Sequence, residues 1–365
     1  MTLALVLLAT LFVAYANGAN DNFKGVATLF GSGTSGYRRA LAWATITTFA
    51  GALTATYLAV ALVKRFSGKG LVPEALTTDP SFLAAVGLAA AATVLLATFL
   101  GMPVSTTHAL MGGLVGAGLV RAWGAVQFAV LAKVFVLPLA LSPFLAAAAA
   151  ALLYLPLRVL RARFSLVPES CLCASSESVV LSSAGGAATA TVGRRLAVVS
   201  GTTHSCGQSG VALRAQAALD AGHWISAGTL SFARGLNDAP KIVALSVAFG
   251  ALSAGASLAT VAVVMALGGL VNAGRVAQTM SRRITTMNAG QGFSANFVSS
   301  ILVLAASRFG LPVSTTHVSC GALFGIGAVT GQARLRTILQ IATAWVTTLP
   351  LAVALGALAS WTLRP

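Results

Sequence analysis

Acidic residues are scarce in this sequence. Seven Asp and Glu stand against 23 Lys and Arg in 365 residues, and only 8% of the chain is charged. A soluble globule of this size covers itself with about 25% charged residues, so that class is excluded. Long polar stretches are scarce as well: 57% of residues are hydrophobic and the mean hydropathy is +0.88. The alternating pattern of a membrane barrel is missing, and no Gly-x-Ser-x-Gly nucleophile elbow occurs. Cysteine is limited to four residues. Cys171 and Cys173 form a C-x-C whose spacing supplies no zinc site, and a disulfide is not expected there in a cytoplasmic segment.

What remains is a chain of apolar tracts, at 2–19, 41–63, 82–100, 104–120, 124–155, 221–250, 251–272, 296–306, 312–330 and 337–362. Several approach the roughly 20 residues a helix needs to cross the hydrocarbon core, and backbone satisfaction in lipid requires helices. The fold expected is an all-α polytopic membrane protein with about 10–12 transmembrane segments or half-segments. Residues 1–16 have no basic flank before them and read as a first transmembrane helix rather than a signal peptide.

The net charge of +16 would suggest nucleic acid in a soluble protein. Here the basic residues lie between apolar tracts, as the positive-inside bias predicts, so no nucleic acid is expected. Arg38, Arg39 and the basic region 156–220 are assigned to the cytoplasm, which puts the N-terminus outside. Lys64, Arg65 and Lys69 break the pattern beside Glu74 and Asp79.

Two phrases occur twice. "GANDNFKG" at 18–25 matches "GLNDAPKI" at 235–242, and "GMPVSTTH" at 101–108 matches "GLPVSTTH" at 310–317. His108 follows Asp21 by 87 residues and His317 follows Asp238 by 79. The order and spacing make an internal duplication: residues 1–155 as an N-terminal transmembrane repeat, 156–220 as a cytoplasmic linker with a Gly/Ala/Ser/Thr stretch at 182–193, and 221–365 as a C-terminal repeat. The basic turn after the first N-D pair and the basic-free turn after the second give the repeats opposite orientations. Inverted repeats around a midplane site, with broken or re-entrant helices, mark secondary transporters.

Only Asp21 and Asp238 place carboxylates inside apolar tracts, where acids mark ion pathways. With Asn20 and Asn237, and carbonyls freed where flanking glycines interrupt the helices, they suit a hard cation such as Na⁺; a protonatable Asp carrying H⁺ fits the same residues. The bland alternative is that each Asp pairs with Lys24 or Lys241 to staple the bundle. Pro103 and Pro312 suit first helical turns, putting Ser105, Thr106, Thr107, Ser314, Thr315 and Thr316 at two helix N-termini, where hydroxyls and N–H groups form anion sites. Phosphate is the expected ligand, against a packing role for the hydroxyls. His108 and His317 read as helix-end partners or a proton-sensitive gate, with catalytic bases of a membrane hydrolase as a distant alternative. Glycines at 112–118 and 321–327 read as helix-packing surfaces.

With these motifs quoted, together with "SFARGLNDAPKIVAL" at 231–245 and "GRVAQTMSRRI" from 274, the chain resembles the inorganic phosphate transporter (PiT) family over almost its whole length. The resemblance implies cation-coupled phosphate uptake, with Asn20, Asp21, Asn237 and Asp238 holding Na⁺ or touching substrate and the Ser-Thr-Thr triplets binding phosphate. No enzymatic activity and no cofactor beyond a coupling Na⁺ or H⁺ are implied; a homo-oligomer stays open. Departures are Lys24, where the family is apolar or small, and Gln278 and Asn296, where it is acidic. These could change the coupling ion, or the substrate to sulfate or a related oxyanion.

Overall fold

The computed structural model describes residues 2–58, 60–181, 191–202, 212–247 and 253–364. It is mostly helical, and among the described residues seven helices are long and apolar enough to cross a membrane. The first half contains α1 (Thr2–Asp21), a short α2 (Ala27–Gly31), α3 (Tyr37–Leu58), α4 (Val60–Phe66), α5 (Pro80–Phe99) and α6 (Thr106–Arg121). It ends in α7 (Phe128–Val130), a π-helical turn over Leu131–Val136, and α8 (Leu137–Arg163), so the tract at 124–155 forms one long helical run. The second half contains α9 (Ala215–Val247), α10 (Ala254–Asn272), α11 (Gly274–Gln278), α12 (Ala289–Arg308), α13 (Thr315–Thr330) and α14 (Leu335–Thr362).

The chain divides into two compact units: Met1–Tyr154 with His223–Pro365, and Leu155–Gly222. The smaller unit departs from the all-α expectation. Its strands β1 (Ser170–Leu181), β2 (Thr191–Thr202) and β3 (Ala212–Arg214) form an antiparallel sheet in the order β2-β1-β3. Val179 and Val180 of β1 and Val192, Val198 and Val199 of β2 are β-branched residues that suit a pleated surface. Of the stretch read as a flexible linker, 182–190 lies outside the described residues, while 191–193 opens β2. Cys171 is disulfide-bonded, a correction to the expectation. The C-x-C segment is not open linker but part of a sheet strand between two others.

Within the larger unit, the repeated glycines mark the closest approaches. A Cβ at Gly18 would lie 1.9 Å from the Met265 carbonyl oxygen on α10, and one at Gly235 would lie 2.0 Å from the Thr48 carbonyl oxygen on α3. Neither glycine interrupts its helix, contrary to the expectation; both are there because nothing larger fits where one half crosses the other. Gly116 and Gly325 do the same against Val353 of α14 and Ala147 of α8. The N-terminus of α5 is capped by Asp79, which accepts from Ser81 N and Phe82 N. Arg121 at the end of α6 bonds Ser81 Oγ, Ser360 Oγ and the Leu363 carbonyl, and sits 3.6 Å from Asp79. Of the anomalous basic residues, Lys69 pairs with Glu74 at 2.8 Å.

Candidate functional site

The duplicated phrases converge on one buried cluster. Each P-V-S-T-T-H segment follows a glycine with positive φ, Gly101 at 70° and Gly310 at 64°, a conformation that costs glycine little and ends the preceding helix. The chain then runs extended to Ser105 or Ser314, each of which caps its helix by accepting from the backbone N–H three residues on, His108 at 3.3 Å and His317 at 3.1 Å. Pro103 and Pro312 therefore stand before the caps rather than inside the first turns. At 16 residues each, α6 and α13 rise about 24 Å, short of a ~30 Å core.

The lysines lie at the centre. Lys24 Nζ donates to Asn20 Oδ1 at 2.6 Å, Asp21 Oδ1, the Val104 carbonyl at 3.0 Å and Thr316 Oγ1 at 2.6 Å. Lys241 Nζ donates to Asn237 Oδ1, Asp238 Oδ1 at 3.2 Å, the Val313 carbonyl at 2.9 Å and Thr107 Oγ1 at 3.1 Å. The two sets are the same set: Asn, Asp and Val carbonyl from the lysine's own half, and a Thr hydroxyl from the other half. The segments also touch directly, Thr316 Oγ1 donating to the Val104 carbonyl at 2.8 Å.

A third buried cation had no signal in the duplicated motifs. Arg234, one residue before the second G-x-N-D, is 1% exposed. Its guanidinium lies 3.3 Å from Asp21 Oδ2, yet both terminal nitrogens make no hydrogen bond. Comparing the repeats position by position would have found it, because the equivalent residue in the first half is Asn17. Asn17 Nδ2 donates to Asp21 Oδ2 at 3.0 Å and Thr106 Oγ1 at 2.9 Å. In the second half Thr315 instead donates directly to Asp238 Oδ2 at 3.2 Å. Asn17, Asp21, Arg234 and Asp238 line a small cavity of about 10 Å³ together with Asn22 and Thr48, room for about one water. Lys24, Lys241 and Arg234 against Asp21 and Asp238 leave this buried cluster one net positive charge.

The other expected residues fall elsewhere. The rings of His108 and His317 meet edge to face, 4.8 Å between centroids. His317 Nδ1 lies 2.9 Å from the Leu139 carbonyl oxygen, and its ring packs 4.0 Å from Trp345, whose indole donates to the Pro103 carbonyl at 2.9 Å. Ser105 and Ser314 are engaged with backbone N–H groups, so neither histidine is set against a serine as a base would be. Gln278 is exposed at the end of α11. Asn296 is buried but donates to Thr28 Oγ1 at 2.7 Å, where His223 Nε2 also lies at 2.9 Å, a separate polar cluster.

The sequence model of the phosphate transporter family matches residues 17–356. The chain belongs to the phosphate transporter family. Among curated proteins it is similar to the chloroplastic inorganic phosphate transporter 2-1 of Arabidopsis thaliana, 31% identical over 97% of this chain and 71% of that one. It is also similar to a protein of Mycobacterium leprae named "Probable low-affinity inorganic phosphate transporter", 27% identical over 98% of this chain and 77% of that one. A solved structure titled "The sodium-dependent phosphate transporter" shares the fold with a TM-score of 0.76 and 20% identity, over 99% of this chain and 98% of the other. A Na⁺ ion does not fit the residues of this chain as they stand. The oxygens of Asn20, Asp21, Asn237 and Asp238 that would hold Na⁺ already surround lysine ammonium groups.

Proposed function

We propose that this chain is a secondary transporter that imports inorganic phosphate across a membrane, driven by an ion gradient, by alternating access around a site shared between two inverted repeats. The observation that carries the reading is the buried, net-positive cluster on which two short helices direct their Ser-Thr-Thr N-termini. Phosphate would be held by the N-terminal hydroxyls and N–H groups of α6 and α13, with the unpaired donors of Arg234 facing it. The exchange of threonine hydroxyls between halves supports the inverted arrangement. Parting of the two halves would admit phosphate, since the cavity beside Arg234 is too small for it.

Phosphate is favoured over sulfate because Asp21 and Asp238 line the same cavity as Arg234. A carboxylate can accept from the P–O–H group that phosphate keeps at neutral pH, and would repel sulfate, which has no donor. Of the two coupling ions, lysine occupancy of both oxygen sets favours H⁺. The positive-inside bias favours a plasma membrane orientation with the N-terminus outside and 155–222 in the cytoplasm. The disulfide at Cys171 argues for an oxidising compartment instead, and thiol labelling of intact cells decides between them.

Purified protein in liposomes should take up radiolabelled phosphate, resist a tenfold excess of sulfate, and lose at least 90% of the rate in Asp238→Asn and Arg234→Gln. Uptake of sulfate at a comparable rate would overturn the substrate, and no flux of either anion would overturn transport.

A further inference from the structure

Lys24 and Lys241 present a problem for any lysine. Both are 1% exposed in the centre of the larger unit, too deep to extend their charged ends to an aqueous boundary as lysines in membrane helices otherwise do. An ammonium has three N–H donors, and each of these faces four oxygens. Carboxylate, amide, backbone carbonyl and hydroxyl oxygen gathered around one point is the donor set of a hard monovalent or divalent cation. It occurs twice, with the same residue types in the same places.

We propose that the two ammonium groups are built-in cations: each fills an oxygen cage of the kind that otherwise takes a metal ion, so this transporter carries its charge-compensating cations on its own side chains and moves phosphate without Na⁺. The proposal rests on the phosphate reading for its substrate, but the statement about Na⁺ concerns the cages alone.

The charge balance supports it. Without the lysines, Asp21 and Asp238 would face one arginine and the cluster would be net negative by one once the pair of carboxylates is counted, a poor place for an anion unless free cations enter first. With them, the cluster is net positive before anything binds. The cross-repeat hydroxyls add a mechanical consequence: an ammonium on a tether holds Thr316 against the first half, and Thr107 against the second, without any ion having to arrive. Phe66, whose ring centroid lies 5.5 Å from Lys241 Nζ, closes one side of its cage with an aromatic face, a further cation-favouring contact.

Two measurements on the full-length protein test this. The first is phosphate uptake into liposomes with Na⁺ on both sides or fully replaced by choline; wild-type rates should agree within twofold. The second is binding of radioactive ²²Na⁺ to detergent-purified protein, which needs no substrate. Wild type should bind none, whereas Lys24→Ala and Lys241→Ala, each emptying one cage, should bind about one Na⁺ apiece and show uptake that falls at least tenfold in choline and recovers with Na⁺. Na⁺-dependent uptake or ²²Na⁺ binding by wild type overturns the proposal whatever the variants do. Folded variants that bind no Na⁺ overturn the equivalence of ammonium and ion. Lys24→Gln and Lys241→Gln, which keep a donor in the cage, supply folded comparisons if the alanine variants aggregate. If wild type moves no phosphate in either medium, the substrate reading fails, and the ²²Na⁺ contrast still decides the cages.

Discussion

Asp21 and Asp238 occupy equivalent places in the two repeats but have unequal partners. Asp21 compensates Lys24 and Arg234 and accepts from Asn17, while Asp238 holds Lys241 and Thr315. Removing one partner of a buried ion pair costs about 3–5 kcal/mol, because the other charge is left uncompensated. Asp21→Ala strands two cations and should fall at or above the top of that range; Asp238→Ala strands one and should fall near the bottom. Thermal unfolding of the two variants in the same detergent checks the order, and equal losses would show that Arg234 does not depend on Asp21. In the proposed phosphate site Arg234 offers a planar fork that lysine lacks. Arg234→Lys should therefore keep the fold, raise the KM for phosphate at least tenfold and leave the melting temperature within a few degrees of wild type.

At the scale of elements, the glycines of α6 and α13 set how near the helices lie. A methyl group at Gly116 would stand 2.0 Å from the Val353 carbonyl and one at Gly325 would stand 2.2 Å from that of Ala147, so the backbones must separate. Overpacking of this kind costs about 1–3 kcal/mol. Gly116→Ala and Gly325→Ala should each lower the melting temperature, whereas Gly255→Ala, with nothing within 4 Å of its added Cβ, should leave it unchanged or raise it slightly through helix propensity. The cap of α5 carries a pH dependence. Burial raises the Asp79 carboxyl, but its bonds to Ser81 and Phe82 and the nearby Arg121 outweigh that and hold it below its ordinary value of 3.8. A depressed carboxylate stabilises fully above its unfolded pKa and loses that contribution as pH falls through the folded one. Asp79→Ala should thus cost about 1 kcal/mol at both pH 7 and pH 5, with the difference from wild type closing only below about pH 4. A difference that disappears by pH 5 would show that the cap is not the charged form.

At the scale of the molecule, most of what builds the site could be read in the sequence because it was written twice. Hydropathy located the long helices but missed some of their ends, as where the tract at 296–306 became Ala289–Arg308, and the paired phrases marked the residues that meet in the cluster. What could not be read there was contact across the duplication. Periodicity says that Lys24 sits one turn from Asn20, but not that Thr316 completes its cage, because the two residues meet only through folding of separate halves. Arg234 carries no signal in the duplicated phrases because it stands where the repeats differ, opposite Asn17. Asn296 and Gln278 stand out only against a family pattern, and packing around Thr28 and the exposed end of α11 sends them away from the cluster. The strands of the smaller unit lack the long apolar runs that made the helices visible.

The crossed threonines bear on what a half of this protein can do. Thr316 completes the cage of the first repeat and Thr107 that of the second, so neither half holds a finished cage of its own. A cell making residues 1–165 alone, or 212–365 alone, should gain no phosphate uptake, whereas making both together should restore it as two separate polypeptides. Uptake by a single half would mean that two copies of it can lend each other the missing hydroxyl, the arrangement an undoubled ancestor would have needed.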